Sequence, residues 1–184
     1  MTRRRWLWIA AAGIVAYVAA GNALRVSRSR EGVATPFRPP GERKPFRALR
    51  GTTLPDGTPW ELASLRGRVV LLNYAATWCP PCRRETPDLV VAADRYRAHG
   101  FEVIGVMMDE GSQESVLAVT RPYVKEYGIS YPLIRPDDDP LLRFAAPALP
   151  TSILLDRKGH AVRTYVGPVS PAVLSEDVER LVAE

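Results

Sequence analysis

Apolar and polar positions follow strand and helix patterns from Phe46 to the end of the chain. Val69–Ala75 is apolar at nearly every position, which is typical of a central strand covered on both faces of a parallel sheet. A helical pattern of apolar residues follows and stops at Gly100, and Phe101–Met107 is a second run of the buried type. The pattern therefore predicts a strand, a helix and a second strand over residues 69–107.

The next segment is interpreted as a helical insert. Ser112 has the position of an N-cap for a helix that runs to Tyr127 and stops at Gly128. Tyr131–Ile134 is interpreted as a short strand. Residues 137–144 begin with three aspartates, which we interpret as acids at the start of a short helix rather than as a metal site.

Two β-hairpins complete the predicted sheet. Residues 46–62 contain the turn signal Leu54–Gly57, and residues 152–166 fold back around a glycine turn. A last helix begins at Ser170-Pro171. A sheet with helices on both faces places the domain in the α/β class.

Residues 1–24 have the pattern of a transmembrane anchor or a signal sequence. Three arginines precede an apolar run from Trp6 to Leu24, whose length as a helix, about 28 Å, is close to the thickness of a bilayer. A cleaved signal peptide is the alternative, because small residues at 18–20 and 21–23 resemble cleavage sites. A twin-arginine export signal also fits loosely. We favour an uncleaved, single-pass anchor.

Residues 25–45 hold six basic residues and four prolines, which predicts an extended, solvated linker. The folded domain is therefore expected to span residues 46–184. Arginines at positions 25, 28 and 30 weaken the charge asymmetry across the apolar run, so the charges alone do not orient it. The charges permit a domain outside the cytoplasm, and the redox chemistry expected of the two cysteines requires it.

The net positive charge of the chain comes from its N-terminal part. Residues 1–50 carry 11 Lys and Arg against 2 acids, whereas residues 51–184 carry 14 against 18, which gives net charges of +9 and −4. Because the folded part is mildly acidic, binding to nucleic acid is not expected.

The two cysteines of the chain, Cys79 and Cys82, lie three residues apart between the first buried strand and its helix. A Cys-x-x-Cys pair in this position is typical of a dithiol/disulfide redox site. Cys79 would lie at the helix N-terminus, where unpaired N–H groups and the helix dipole stabilise a thiolate. We therefore expect Cys79 to attack a substrate disulfide and the less exposed Cys82 to resolve the mixed disulfide.

Two other uses of the cysteines are disfavoured. A structural zinc site needs four ligands, and the chain adds only the widely separated His99 and His160, so no metal is expected. A structural disulfide that closes so small a loop would restrict the unfolded chain very little.

Residues 69–82, together with Leu149-Pro150-Thr151 further along the chain, resemble the thioredoxin fold, and more narrowly the membrane-anchored TlpA/ResA/DsbE-like thiol-disulfide oxidoreductases. The resemblance covers residues 46–184 and includes the helical insert. It implies a central mixed sheet with helices on both faces and no cofactor besides the cysteine pair.

The resemblance implies further site residues. Pro150 matches a cis-proline that faces the cysteines, and Leu149 would pair its backbone with an extended substrate strand. Trp78 matches an aromatic residue beside the nucleophile. Glu85 matches an acid that lines the active-site cleft and would exchange protons with Cys82, although an acid that only stabilises the helix N-terminus is the alternative.

Two positions depart from related patterns. Thioredoxin itself has a buried aspartate where this chain has Asn73, although the amide is usual in the TlpA-like branch. The branch often has a second aromatic residue where this chain has Ala75, which leaves the local packing open.

The expected function is therefore an extracytoplasmic thiol-disulfide oxidoreductase of the cytoplasmic membrane. It would reduce disulfides in substrate proteins, such as apocytochrome c or copper-site cysteines, and would be recharged by a membrane electron donor. An oxidising disulfide donor or isomerase is the alternative. A peroxiredoxin-like peroxidase is less favoured because Thr77 lies two residues before Cys79, outside the Pro-x-x-x-Thr-x-x-Cys frame. A tethered binding module is also less favoured, since copper transfer would need a different cysteine spacing with a histidine.

Overall fold

A computed structural model describes residues 13, 32–54, 56–137 and 146–184. Residues Gly32–Glu184 form one compact unit. Its strands are β1 (Val33–Ala34), β2 (Lys44–Pro45), β3 (Arg50–Leu54), β4 (Pro59–Glu61), β5 (Val69–Ala75), β6 (Phe101–Met107), β7 (Leu133–Pro136), β8 (Thr151–Leu155) and β9 (His160–Val166). Its α-helices are α1 (Pro80–Tyr96), α2 (Gln113–Tyr127) and α3 (Pro171–Val182).

The strands form one mixed sheet in the order β1-β9-β8-β5-β6-β7-β3-β4, and β2 pairs with another part of β9. β5 and β6 run parallel with Val69 opposite Phe101 and Ala75 opposite Met107. β7 is parallel to β6, whereas β8 is antiparallel to β5 and β9 to β8. The predicted mixed sheet of a thioredoxin fold is therefore confirmed, with β5 at its centre.

The central strand sends alternate side chains into two apolar clusters. Val69 and Leu71 belong to one cluster, which also contains buried residues of all three α-helices. Val70 and Leu72 belong to the other, which is covered by Leu49 and by the 3-10 helix Leu62–Leu65 among the described elements. Every residue of β5 is buried, as its apolar run predicts.

Most of the predicted elements are confirmed with small shifts. The hairpins β3–β4 and β8–β9 and the N-cap of α2 at Ser112 are present. β7 begins at Leu133, two residues later than predicted. The short helix expected over residues 137–144 lies outside the described residues, apart from residue 137.

The segment before Phe46 differs from the sequence prediction of a solvated linker. Residues 32–45 lie along β9, with Val33 opposite Val166 and Lys44 opposite Ala161. The side chain of Arg43 is buried here, and it donates hydrogen bonds to the carboxylates of Asp156 and Glu184 and to the carbonyl oxygen of Arg38. The folded unit therefore begins at Gly32, because an extended chain can satisfy its backbone groups by pairing with a sheet edge.

The predicted anchor or signal sequence over residues 1–24 lies outside the described residues, apart from residue 13, and so do residues 25–31 of the predicted linker. Within the part of the chain that the structure describes, no helix combines the length and apolar character needed to cross a membrane.

The pairing of residues 32–45 with the domain predicts that Arg43 contributes to stability. We expect Arg43→Met to lower the free energy of unfolding by about 1–3 kcal/mol, because it removes charged hydrogen bonds from a buried position. The matched control is Lys44→Met at the exposed neighbouring residue, for which we expect a change below about 0.5 kcal/mol. Equal urea unfolding midpoints for the two variants would contradict this role.

Candidate active site

The cysteine pair lies where the central strand ends and the first helix begins. β5 ends at Ala75, and Cys79 is the N-cap residue of α1 with extended backbone angles, φ −86° and ψ 108°. Pro80 and Pro81 occupy the first helical positions, where a missing N–H group removes no helix hydrogen bond. The sequence therefore places Cys79 directly in front of the unpaired N–H groups of the helix.

Cys79 and Cys82 form a disulfide bond, with their Cα atoms 5.3 Å apart. The backbone N–H of Cys82 also points to the Sγ atom of Cys79, at 3.3 Å. Both residues are nearly enclosed, with exposed fractions of 3% for Cys79 and 1% for Cys82. The difference has the predicted direction but is small, so position at the helix N-terminus distinguishes the two sulfurs better than exposure does.

The surroundings of the pair are apolar. Ala75 and Ala76 pack around the two cysteines, and Leu149 packs against this cluster from a different part of the chain. The Leu149–Pro150 peptide bond is cis, as predicted. Trp78 is 66% exposed, so it presents an open apolar surface next to Cys79 in the chain.

Glu85 lies on the same side of α1 as Cys82, one helical turn further on. It is 3% exposed, and its carboxylate accepts hydrogen bonds from the N–H of Val169 at 2.8 Å and from the amide of Asn73 at 3.3 Å. Burial raises the pKa of Glu85 to about 7, although these two hydrogen bonds partly counteract the effect. An acid that only stabilises an exposed helix end does not account for this burial.

Asn73 connects the acid to the sheet. Its amide donates to Glu85 and also to the hydroxyl of Ser152 on β8, at 3.0 Å. Because Asn73 lies on β5 and Glu85 on α1, the hydrogen bonds join the strand that leads to the cysteines with the helix that carries them.

The sequence analysis missed two charged residues beside the pair. Asp109 follows the end of β6, is 8% exposed, and accepts hydrogen bonds from the N–H and hydroxyl groups of Thr77. Arg83 donates from its side chain to the carbonyl oxygen of Thr77. Asp109 was detectable in principle, since polar residues at the carboxyl ends of neighbouring parallel strands meet at one edge of the sheet. The contact of Arg83 has no such sequence signal.

Across the described residues, no group of three or more His, Cys, Asp or Glu side chains is arranged to hold a metal ion. Among the polar side chains described above, Asn73 and Glu85 bind each other, and Asp109 and Arg83 bind Thr77. The disulfide at the start of α1 makes sulfur the candidate reactive atom of the site.

Comparison with known proteins agrees with this geometry. The model of the AhpC/TSA family matches residues 44–174. The thiol-disulfide oxidoreductase ResA of Halalkalibacterium halodurans is 32% identical over 130 residues, which cover 70% of this chain and 71% of the relative. ResA of Bacillus subtilis is 29% identical over 122 residues, which cover 66% and 65%.

Solved structures of related proteins have the same fold. A DsbF homologue from Corynebacterium diphtheriae aligns with a TM-score of 0.68 and 28% identity, over 80% of this chain and 92% of that protein. A secreted thiol-disulfide isomerase from Corynebacterium glutamicum aligns with a TM-score of 0.71 and 26% identity, over 82% and 92%. The chain therefore belongs to the AhpC/TSA family and is a thioredoxin-fold thiol-disulfide oxidoreductase of the TlpA/ResA/DsbE-like type.

Proposed function

We propose that the protein is an extracytoplasmic reductase of protein disulfides, in which Cys79 is the attacking thiol and Cys82 the resolving thiol. The observation that carries the assignment is the position of Cys79 as the N-cap of α1, with the N–H of Cys82 directed at its Sγ atom. A thiolate in this position is stabilised by the helix N-terminus, so Cys79 is the more reactive of the two sulfurs.

The proposed reaction exchanges one disulfide for another. The Cys79 thiolate attacks a sulfur of the substrate disulfide, which forms a mixed disulfide and releases one substrate thiolate. The Cys82 sulfur, after losing its proton, attacks Cys79, which closes the Cys79–Cys82 bond and releases the second substrate thiolate. The substrate gains two electrons, and a dithiol or equivalent membrane electron donor then restores the reduced pair.

Glu85 is proposed to exchange the proton of Cys82. The two buried residues lie one turn apart on the same side of α1. A carboxyl group with a pKa of about 7 is present in both forms near neutral pH, so it can accept a proton when Cys82 attacks and return it when the pair is reduced.

Substrate binding is proposed at Trp78, Leu149 and Pro150. Leu149 packs against the cysteine cluster, and the cis peptide bond that follows it lies beside the same cluster. An extended substrate segment can add its backbone hydrogen bonds at Leu149 while its cysteine reaches Cys79. The largely exposed ring of Trp78 offers an apolar contact for the residues that flank the substrate cysteine.

The extracytoplasmic location and the anchor at residues 6–24 are part of the proposal. The described part of the folded unit begins at Gly32, whose N–H donates to the carbonyl oxygen of Pro168 at 2.7 Å. Val169, the residue after Pro168, donates its N–H to Glu85, so Gly32 lies at the same end of the sheet as Glu85. Secretion of the Corynebacterium glutamicum neighbour agrees with an exported enzyme.

The proposed substrates are apocytochrome c before haem attachment or the cysteines of a copper-site protein. Both need free thiols in a compartment where disulfides form readily. The alternative is an oxidising donor or isomerase. It is supported by the structural similarity to the Corynebacterium glutamicum protein, which is a thiol-disulfide isomerase.

A cysteine trap tests the assignment of the two sulfurs. We expect Cys82→Ser to accumulate a mixed disulfide between Cys79 and its substrate, because the resolving thiol is absent. Cys79→Ser is the matched control and should accumulate no adduct. Non-reducing gels and mass spectrometry of proteins from exported fractions would identify the partner. A covalent adduct that forms on Cys79→Ser instead would reverse the assigned roles.

The midpoint potential of the cysteine pair distinguishes a reductase from an oxidising donor. The cysteine pair of a reductase is expected to have a midpoint potential below about −200 mV, whereas that of a strong disulfide donor is about −120 mV. The potential would be measured from the oxidised fraction of the pair in defined glutathione mixtures. A value near that of the strong donor would overturn the reductive direction and leave the roles of Cys79 and Cys82 intact.

The raised pKa of Glu85 predicts a pH dependence of stability. Because the folded state holds the proton more tightly than the unfolded state, the contribution of Glu85 is fully present below about pH 4.5 and is lost as the pH rises through about 7. We expect the free energy of unfolding to fall by roughly 3 kcal/mol across this range, and Glu85→Gln to abolish that part of the fall.

The exposed acid Glu114 provides the control, since Glu114→Gln should keep the wild-type pH profile. Glu85→Gln should also remove an inflection near pH 7 from the rate at which Cys82 resolves the mixed disulfide, while the initial attack by Cys79 is preserved. Urea unfolding at several pH values and stopped-flow kinetics measure the two effects. Coincident pH profiles for wild type and Glu85→Gln would exclude the proton-exchange role.

A further inference from the structure

All the polar groups of Thr77, two residues before Cys79, are bound by charged side chains. Its N–H donates to both carboxylate oxygens of Asp109, at 3.2 and 3.1 Å, and its hydroxyl donates to Oδ1 at 2.5 Å. Its carbonyl oxygen accepts a hydrogen bond from Nη1 of Arg83 at 3.2 Å. Asp109 and Arg83 therefore hold one residue from both sides, and Arg83 itself directly follows Cys82.

Asp109, which accepts the hydrogen bond from the N–H of Thr77, is held by the sheet. Asp109 is 8% exposed and lies two residues beyond the end of β6. The preceding residue, Met108, donates its N–H to the carbonyl oxygen of Ala75 at 2.8 Å, which extends the pairing of β5 and β6 up to the turn. The position of Asp109 is therefore set by the two central strands.

Arg83, which donates to the carbonyl oxygen of Thr77, also contacts the helical insert α2. Nη2 of Arg83 donates to both carboxylate oxygens of Glu126 on α2, at 2.7 and 2.8 Å. Its guanidinium group also lies over the rings of Tyr123 and Tyr127, at 5.7 and 5.3 Å from their centroids. A planar guanidinium with a carboxylate at one edge and aromatic rings at its face has little freedom to turn.

These contacts gain importance when the disulfide opens. In the oxidised protein the Cys79–Cys82 bond itself holds the Sγ atom of Cys79 at the start of α1. Reduction removes that constraint, and the location of the sulfur then depends on the backbone that leads to Cys79. We propose that Asp109 and Arg83 are positioning residues of the reduced enzyme, which hold Thr77 and thereby keep Cys79 Sγ aligned with the N–H groups of α1. This inference rests on the proposed role of Cys79 as the attacking thiol.

Charge and position act in opposite directions at Asp109, which makes the proposal testable. A carboxylate near Cys79 disfavours a thiolate by repulsion, so its removal through charge alone would make the Cys79 thiol more acidic. If Asp109 acts by holding Thr77, its removal lets the sulfur leave the helix N-terminus and makes the thiol less acidic. The sign of the change therefore separates the two effects.

The test measures the alkylation rate of Cys79 by iodoacetamide against pH, in the full chain with Cys82→Ser so that a single thiol reacts. We expect Asp109→Ala to raise the pH midpoint by about half to one unit. At pH values well below the midpoint of the parent, where the thiolate fraction changes tenfold per unit, alkylation should slow by about three- to tenfold. Thr77→Val, which removes only the hydroxyl donor, should slow it by about two- to threefold. Thr77→Ser keeps that donor and should retain the rate of the parent.

A second threonine–aspartate pair provides the matched control. The hydroxyl of Thr53, on β3, donates to Asp56 at 2.8 Å at an exposed position, and β3 is separated from β5 by two strands of the sheet. Thr53→Val and Asp56→Ala should leave the alkylation profile unchanged. Folding of each variant is checked by circular dichroism.

Three outcomes would overturn the proposal. They are an unchanged profile in Asp109→Ala and Thr77→Val, a more acidic Cys79 in Asp109→Ala, and equal rates for Thr77→Val and Thr77→Ser. If Asp109→Ala does not fold, the comparison at Thr77 decides alone. Failure of the proposed function has a different signature, since the wild-type protein would then show no disulfide reduction and its Cys79 would react no faster than free cysteine.

Discussion

The active site depends on the junction between the central strand and the first helix. β5 is buried along its whole length between β6 and β8, so its end at Ala75 is fixed within the sheet. The buried side chains of α1 pack into the same apolar cluster as alternate residues of β5, which fixes the helix relative to the strand. Cys79 is the last residue of the short turn, residues 76–79, that joins these two elements. The packing of the strand and the helix therefore places the sulfur of Cys79 in front of the helix N-terminus. The partial positive charge of the unpaired N–H groups there favours a thiolate over a thiol.

The buried acid Glu85 and the amide of Asn73 on β5 form one hydrogen-bonded pair. In thioredoxin the strand position of Asn73 is an aspartate, and a second carboxylate at Glu85 would then repel it in a site of low polarity. An amide removes this repulsion and donates a hydrogen bond to Glu85, while a further hydrogen bond to Ser152 fixes its orientation. In the proposed mechanism, the group that exchanges the proton therefore lies on the helix that holds Cys82 and not on the strand. The residual cost of burying the carboxyl group appears as its raised pKa, which brings its titration close to neutral pH.

The sequence was sufficient for the features that depend on local pattern. The continuous apolar runs of β5 and β6, the N-cap Ser112 and the turn glycines specify elements directly, and the structure has them within about two residues. The cis peptide at Pro150 and the importance of Glu85 came from family resemblance, because neither has a local signal. The position of Asp109 near the turn follows in principle from the neighbouring ends of β5 and β6. Its contact with Thr77, and that of Arg83, could not be predicted, since these residues meet only in the folded domain. A hydrogen bond between side chains distant in sequence leaves no periodicity.

The segment 32–45 shows how composition can mislead about order. Its basic residues and prolines predict a solvated linker, but composition does not report whether a sheet edge is available for pairing. Here β9 would be an edge strand without this segment, and Val33 and Lys44 pair with its two ends. The close approach requires a residue without a side chain at its start, because a Cβ atom on Gly32 would lie 2.3 Å from the carbonyl oxygen of Val166. The segment thus covers an exposed row of backbone groups and, through Arg43, joins the start of the fold to Glu184 at its end.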